Sequence, residues 1–181
     1  KKITNGKNLF NQNSNLILNI ETEFEVEKEL LLSLMGIETN FGKYLGKMDI
    51  VSSLATLSFD KRRSEFFTTE LIILLKLVDE NIIEPESLFG SWAGAFGNFQ
   101  FMPSTIKNNA IDYNNDNLID LKSTEDSFAS AANYLSKMGW NTKEKCFNKI
   151  SLDDRIPTKY LNYSARKIKH KNKLSFYKKY I

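Results

Sequence analysis

One carboxylate stands out by its place in the chain. Glu38 follows the apolar run Leu30 to Ile37 and precedes Thr39-Asn-Phe-Gly42. A helix ending in Gly36-Ile-Glu-Thr-Asn-Phe-Gly42 would deliver this side chain to the edge of a core, among aromatics. Desolvation favours the protonated form of a carboxyl, which can then donate near neutral pH as a general acid. The plainer reading is a solvated glutamate at a helix end. A second acidic feature is the stretch Asp112-Tyr-Asn-Asn-Asp-Asn-Leu-Ile-Asp120. Its oxygen-bearing side chains at relative positions 1, 3, 5 and 9, with an apolar residue at 8, match the start of an EF-hand loop. The sharp turn at position 6 falls on Asn117, a residue type that tolerates positive φ, and position 12 is Ser123 rather than Glu. An Asx-rich turn without an ion is the alternative.

These groups need a scaffold, and the apolar spacing supplies helices. Leu16, Ile17, Ile20 and Phe24 fall at helical intervals from Asn15, and Glu27 to Ile37 buries Leu30, Leu31, Leu34 and Met35. Asp49 suits the N-cap of a short helix containing Leu54 and Leu57, and Asp60 that of a longer one through Asp79. The longer segment carries a wide stripe of Phe66, Phe67, Leu71, Leu74, Leu75 and Val78. Gly90-Ser-Trp-Ala-Gly-Ala-Phe-Gly97 reads as a tight loop that exposes its backbone. Ser104, after Pro103, suits the N-cap of a helix ending near Ala110. Ser123 or Thr124 starts a last helix, with Phe128, Ala131, Ala132, Leu135 and Met138 inward and Gly139 as its stop. Residues 1–14 are polar and predicted to be loose. No strand alternation of useful length occurs, so the class is mainly α.

Composition narrows the field further. The chain has 181 residues, 41% hydrophobic and 26% charged, with only 3 Pro and 8 Gly, which excludes collagen-like, low-complexity and wholly disordered chains. No apolar run approaches the ~18–20 residues of a membrane span. A lone Cys146 and a single His170 exclude a disulfide scaffold and a zinc finger, and leave the redox compartment open. The first residue is Lys1 and no apolar signal segment follows, so the sequence reads as a mature or trimmed piece. Residues 155–181 hold nine Lys or Arg and no acid, whereas the other 154 residues hold 16 basic and 22 acidic groups. An acidic body thus carries a basic tail. The tail's lysines are mixed with Tyr160, Tyr163, Phe176, Tyr177 and Tyr180, which suits an anionic surface and also nucleic acid; a solvated helical appendage is the plainer reading. His170 sits between lysines and is expected to be exposed.

Taken in order, the motifs resemble one family. Gly36-Ile-Glu-Thr-Asn-Phe-Gly42, Leu54-Ala-Thr-Leu-Ser-Phe59, Arg62-Arg63, Glu65-Phe-Phe67, Gly90 to Gly97, Gln100-Phe-Met-Pro-Ser104, the acidic loop and Ala132-Asn-Tyr-Leu135 through Gly139-Trp140 are similar to the membrane-bound lytic murein transglycosylase B family. That family consists of lysozyme-like enzymes that cleave bacterial peptidoglycan. The resemblance implies a helical domain of the goose-type lysozyme and lytic transglycosylase kind with an EF-hand-like loop. Residues 15–140 would be the catalytic domain, 1–14 a loose N-terminal segment and 141–181 a basic C-terminal extension. It implies Glu38 as a single acid/base, Ser91 and Gln100 holding the sugar and its acetamido group, Arg62 and Arg63 lining the glycan cleft, and Tyr134 as a cleft tyrosine. Asp112, Asn114, Asp116, the Leu118 carbonyl and Asp126 would ligate a weakly held structural calcium ion, and the chemistry would need no cofactor.

The product implied is a 1,6-anhydromuramyl end. A hydrolytic lysozyme acting on the same bond and a non-catalytic glycan-binding module are the competing readings. Partners would be peptidoglycan strands, with an anionic envelope surface contacting the basic tail and no nucleic acid. The location would be the periplasm or cell envelope, with an outer-membrane anchor in the full-length protein. Two departures from the family pattern carry expectations. Phe99 replaces a common glycine and should narrow the cleft floor, and residues 141–181 lack the family's C-terminal signature.

Overall fold

In a computed structural model of the chain, residues 1–143, 156–160 and 173–180 are described. The chain forms two compact units, residues 1–142 and 143–181. The first contains helices α1 (Lys2–Gln12), α2 (Ser14–Phe24), α3 (Lys28–Glu38), α4 (Ile50–Phe59), α5 (Ser64–Asp79), α6 (Pro103–Asn109) and α7 (Thr124–Lys137). Its only named strands, β1 (Met48–Asp49) and β2 (Phe89–Gly90), pair antiparallel with Met48 opposite Gly90. The mainly helical class expected from the sequence is what is found.

Most of the predicted apolar faces point inward. Ile17, Ile20, Leu31, Leu54, Leu74 and Phe128 are fully buried in one core, each contributing about 1.5–3 kcal/mol by leaving water. Asp49 caps α4 by accepting from the Ser52 amide at 2.7 Å, and Ser123 caps α7 by accepting from the Asp126 amide at 3.1 Å. Gly139, at φ +85°, is the left-handed residue that ends the last helix of this unit.

Several expectations fail, for local reasons. Residues 1–14 are not loose, since Lys2–Gln12 is helical. Apolar residues are few in α1, but Leu9 and Phe10 pack on the core and the helix approaches α3 closely, with the Phe41 ring against Gly6 and Gly36. Asp60 does not cap α5. It closes α4 instead, and its carboxylate takes the Arg62 amide at 3.1 Å. The stripe on α5 is narrower than predicted: Phe67, Leu74 and Leu77 are buried, whereas Phe66 and Leu75 are exposed and Glu70 occupies an inward position. Met138 lies past the end of α7 and is exposed. Phe99 does not narrow a cleft floor; it packs edge-to-face on Phe128 at 5.3 Å in the core.

The second unit contains a 3-10 turn (Thr158–Tyr160), the short helix α8 (Leu174–Tyr177) and a further 3-10 turn (Lys178–Tyr180). There the Phe176 ring meets Tyr160 at 5.2 Å and Tyr177 at 5.0 Å. Cys146, Tyr163, His170 and most of the tail's basic residues lie outside the described residues. Among the described residues, no helix is long and apolar enough to cross a membrane.

Candidate active site

The turn after α3 is built to hold backbone and leave one side chain free. Asn40, Phe41 and Gly42 all take left-handed φ, at 52°, 62° and 75°. Such a run is costly for non-glycine residues and persists only when its surroundings fix it. Thr39 supplies the fixing. It is fully buried, its Oγ1 donates to the Asn98 carbonyl at 2.9 Å, and it accepts from the Gly42 amide at 3.0 Å. Phe41 drives its ring against Gly36, where a Cβ would stand 2.7 Å from the ring edge. Lys2 donates to the Gly36 carbonyl at 2.9 Å, placing a cation at the negative end of α3.

Glu38 emerges from this clamp exposed, so the burial on which the sequence argument rested is absent. Among the described residues its carboxylate accepts no hydrogen bond and forms no ion pair. It lines an open cleft of about 510 Å³ together with Lys1, Lys2, Asn5, Asn40, Lys43 and Tyr44. A free carboxylate among ammonium groups and an aromatic ring is suited to a polar, anionic polymer.

The loop that follows β2 is tied to the Glu38 turn at several points. Ser91 Oγ accepts from the Ala93 and Ala95 amides at 3.3 and 3.0 Å, so the hydroxyl shapes the loop while its own proton stays available. Gly46 passes so close to the Gly90 carbonyl that a Cβ would sit 2.0 Å from the oxygen, a crossing open only to glycine. Gln100 itself has φ +53°. Its Nε2 donates to the Leu45 carbonyl at 3.2 Å and to the Gly97 carbonyl at 3.0 Å. Both amide hydrogens are thereby directed at the protein, and Oε1 is left as an acceptor. The segments bearing Glu38, Ser91 and Gln100 therefore form one clamped assembly, joined by the Thr39–Asn98 and Gln100–Leu45 bonds.

The remaining predicted glycan contacts lie elsewhere. Arg62 is exposed and pairs with Asp60 at 2.6 Å, and the guanidinium's hydrogen bonds push the Asp60 carboxyl down to about 2. Arg63 stacks over the Phe66 and Phe67 rings at 4.4 and 5.0 Å. Both arginines line a second pocket of about 240 Å³ with Leu57, Asp60, Phe67 and Trp92. Tyr134 is half-buried beside Phe101, ring centroids 5.8 Å apart. Neither cavity is lined by Ser91, Gln100 or Tyr134. Sequence reasoning missed Trp92, whose side chain stands exposed beside Ser91; an aromatic in a glycine-rich loop was the available signal.

The acidic loop has turned its donors upon itself. Asn117 takes φ +71°, as its place in the turn requires. Asp112 accepts from the amides of Asp116 and Asn117 at 3.1 and 2.8 Å, and Asp116 accepts from the Leu118 amide at 2.9 Å. Asn114 donates to Asp116 at 2.9 Å. Asp126, fully buried, accepts from the Tyr113 and Asp120 amides at 2.9 Å each. Burial pushes its carboxyl up, against the downward pull of these amides. The donor types suit a hard cation, and the carboxylates are held by backbone amides of their own loop. Among the described residues no three Asp, Glu, His or Cys side chains converge as metal ligands.

A helical domain with an unpartnered glutamate at the end of α3, clamped against a glycine-rich loop, agrees with the lysozyme-like fold that the motifs implied. The chain belongs to the transglycosylase SLT domain family, whose model matches residues 1–178. It is 37% identical over 139 residues to the membrane-bound lytic murein transglycosylase B of Escherichia coli K12, which covers 76% of this chain and 38% of that protein. Among solved structures, Escherichia coli lytic transglycosylase Slt35 in complex with calcium superposes with a TM-score of 0.75 at 36% identity, covering 80% of this chain and 46% of that one. Pseudomonas aeruginosa SltB3 in complex with NAG-NAM-pentapeptide gives 0.74 at 32% identity, covering 77% and 37%. The chain spans less than half the length of each of these relatives. The match to 1–178 also takes in the N-terminal helix and the basic segment, beyond the 15–140 region in which the sequence motifs fall.

Proposed function

We propose that this chain carries the catalytic centre of a lytic transglycosylase that cleaves the β-1,4 bond between N-acetylmuramic acid and N-acetylglucosamine in peptidoglycan. The observation that carries the reading is Glu38, a carboxylate without a partner, held over a cleft by a turn that the buried Thr39 hydroxyl ties down. Protonated Glu38 donates to the glycosidic oxygen, which leaves as the C4 hydroxyl of N-acetylglucosamine. The muramic acetamido oxygen assists at the anomeric carbon. The C6 hydroxyl then attacks that carbon and returns its proton to Glu38, closing a 1,6-anhydro ring without water. Ser91, through its free proton, and Gln100, through Oε1, orient the acetamido group. Arg62, Arg63 and Tyr134 contact the glycan further along.

Supporting this reading are the family match and the SltB3 structure, whose ligand is a NAG-NAM-pentapeptide. Ordinary glycosidases place two carboxyls across the bond, and only Glu38 is assigned here, so a tethered hydroxyl has the advantage over water. The site of action is the bacterial periplasm or cell envelope, with residues 15–140 as the catalytic region and 141–181 as a basic extension toward anionic envelope surfaces. Asp112, Asn114, Asp116, the Leu118 carbonyl and Asp126 are the proposed ligands of a weak calcium ion, supported by their donor types and by the calcium in Slt35. No chemical step depends on it. Mass spectrometry of digested peptidoglycan tests the reaction. Anhydromuramyl ends are expected; predominantly reducing muramic ends would establish a lysozyme, and an undigested polymer that still binds the chain would establish a glycan-binding module.

A further inference from the structure

Glu70 is a buried acid that the proposed chemistry does not use. It lies on the inward face of α5 and is only 3% exposed, yet among the described residues it has no basic partner. Its two carboxylate oxygens are both directed at one residue of another element: Oε2 accepts from the Ser104 amide at 2.8 Å and Oε1 from the Ser104 hydroxyl at 2.7 Å. The sequence suggested Ser104 as a helix cap. Instead Pro103 opens α6 and Ser104 follows it, so the cap is delivered across space by Glu70. A buried carboxylate without this partner would be strongly unfavourable, which makes the pairing a firm one.

Four residues before Ser104 is Gln100, whose left-handed backbone must be held from outside. Upstream the segment is pinned by the Phe96–Phe101 bridge, with bonds of 3.0 and 3.1 Å, and by Gln100 Nε2. Downstream, Pro103 is buried and the next fixed point is Glu70. We propose that Glu70 is a positioning residue, a clasp that sets the Gln100 loop, and so the Oε1 acceptor, at the height needed by the substrate's acetamido group. This rests on the lytic transglycosylase reading given above. Misplacing an orienting group by about an ångström can cost a hundredfold in rate without touching the reacting atoms.

The test compares the wild type with Glu70→Ala, Glu70→Gln, Ser104→Ala and, as a control for the chemistry, Glu38→Gln. On a soluble muropeptide oligomer, well below each variant's melting temperature, kcat is expected to fall about tenfold or more in Glu70→Ala, with KM changed less than about threefold. Glu70→Gln, which keeps one acceptor, should recover part of that loss, and Ser104→Ala, which keeps the amide bond, should show the smallest effect. If Glu70→Ala does not fold, the other two variants decide. A second readout needs no turnover: the side-chain amide NMR resonances of Gln100, assigned by their loss in Gln100→Ala, should move in Glu70→Gln. Lowered melting temperatures with wild-type kcat and KM, or unmoved Gln100 resonances, would overturn the clasp. An inactive wild type with moved resonances would overturn the transglycosylase reading, and with it the clasp's stated purpose.

Discussion

The Glu38 turn and the acidic loop are made from similar parts and reach opposite states. Both thread non-glycine residues through left-handed φ, Asn40 and Phe41 in the first and Asn115 and Asn117 in the second. Both sit at helix termini, beyond α3 and before α7. In the first, a buried hydroxyl, Thr39, ties down the backbone and the carboxylate beside it remains without a partner. In the second, the carboxylates themselves tie down the backbone. A count of acids would rank the loop as the richer site. Hydrogen-bond accounting ranks the turn first, because only an acid free of structural duty can change protonation without disturbing the fold.

The sharpest way to break this contrast is Glu38→Gln. Wall-lytic activity should fall ~100-fold or more with no change in melting temperature, since the native carboxylate makes no bond to lose. Turbidity clearance of purified sacculi and a thermal melt check both halves. Activity above about a tenth of wild type would move the acid role elsewhere.

Asp126→Ala should do the reverse. Two partly buried amides lose their buried acceptor, which costs about 1–3 kcal/mol, while kcat of the folded protein stays close to wild type. A pH series adds a sign. Since burial holds the Asp126 carboxyl above its ordinary value, its favourable contribution is complete below that ordinary value and is lost as pH rises through the raised one. The variant should flatten that part of the stability profile.

Calcium sharpens the comparison from the other side. If the loop's donors can be drawn from their amides to an ion with Kd near 0.1 mM, then 1 mM calcium would stabilise the fold by about 1.4 kcal/mol. That melting shift should vanish in Asp116→Ala. Identical melts in calcium and in chelator would mean that the loop is a self-sufficient turn.

The smallest effect concerns Asp60 and Arg62, an exposed pair on the rim of the second pocket. The Asp60 carboxyl is depressed to about 2, so the pair's contribution is present above the ordinary carboxylate range and is lost as pH falls through about 2. Asp60→Asn should change acid sensitivity slightly at low salt and not at all in 1 M salt.

How much of this could be read from the chain depends on what kind of force places each element. Helices α2, α3, α4 and α7 were legible because apolar periodicity and local caps such as Asp49 and Ser123 act within one segment. Helix α1 was not, since Gly6 lowers its intrinsic propensity and its support comes from Phe41, 35 residues away in the chain. The motif around Glu38 was legible as a family pattern, but its exposure was not, because that depends on how Thr39 and Asn98 meet. Ser104 was read as a local helix cap; only the packing of α5 on α6 shows Glu70 to be its partner. Phe99 looked like a change in the cleft and turned out to be core.

The seat of the Phe41 ring bears on where this domain can be trimmed. A boundary drawn from apolar periodicity falls at about residue 15, and a polypeptide begun there would keep nearly all of the large buried side chains. It would also lack Gly6 and Lys2, one wall of the Phe41 seat and the cation on the last carbonyls of α3. Such a shortened protein should retain its helical circular dichroism yet become open to protease nicking between Asn40 and Lys47. The boundary that keeps the core and the boundary that keeps the Glu38 turn closed are thus expected to differ by one glycine-bearing helix.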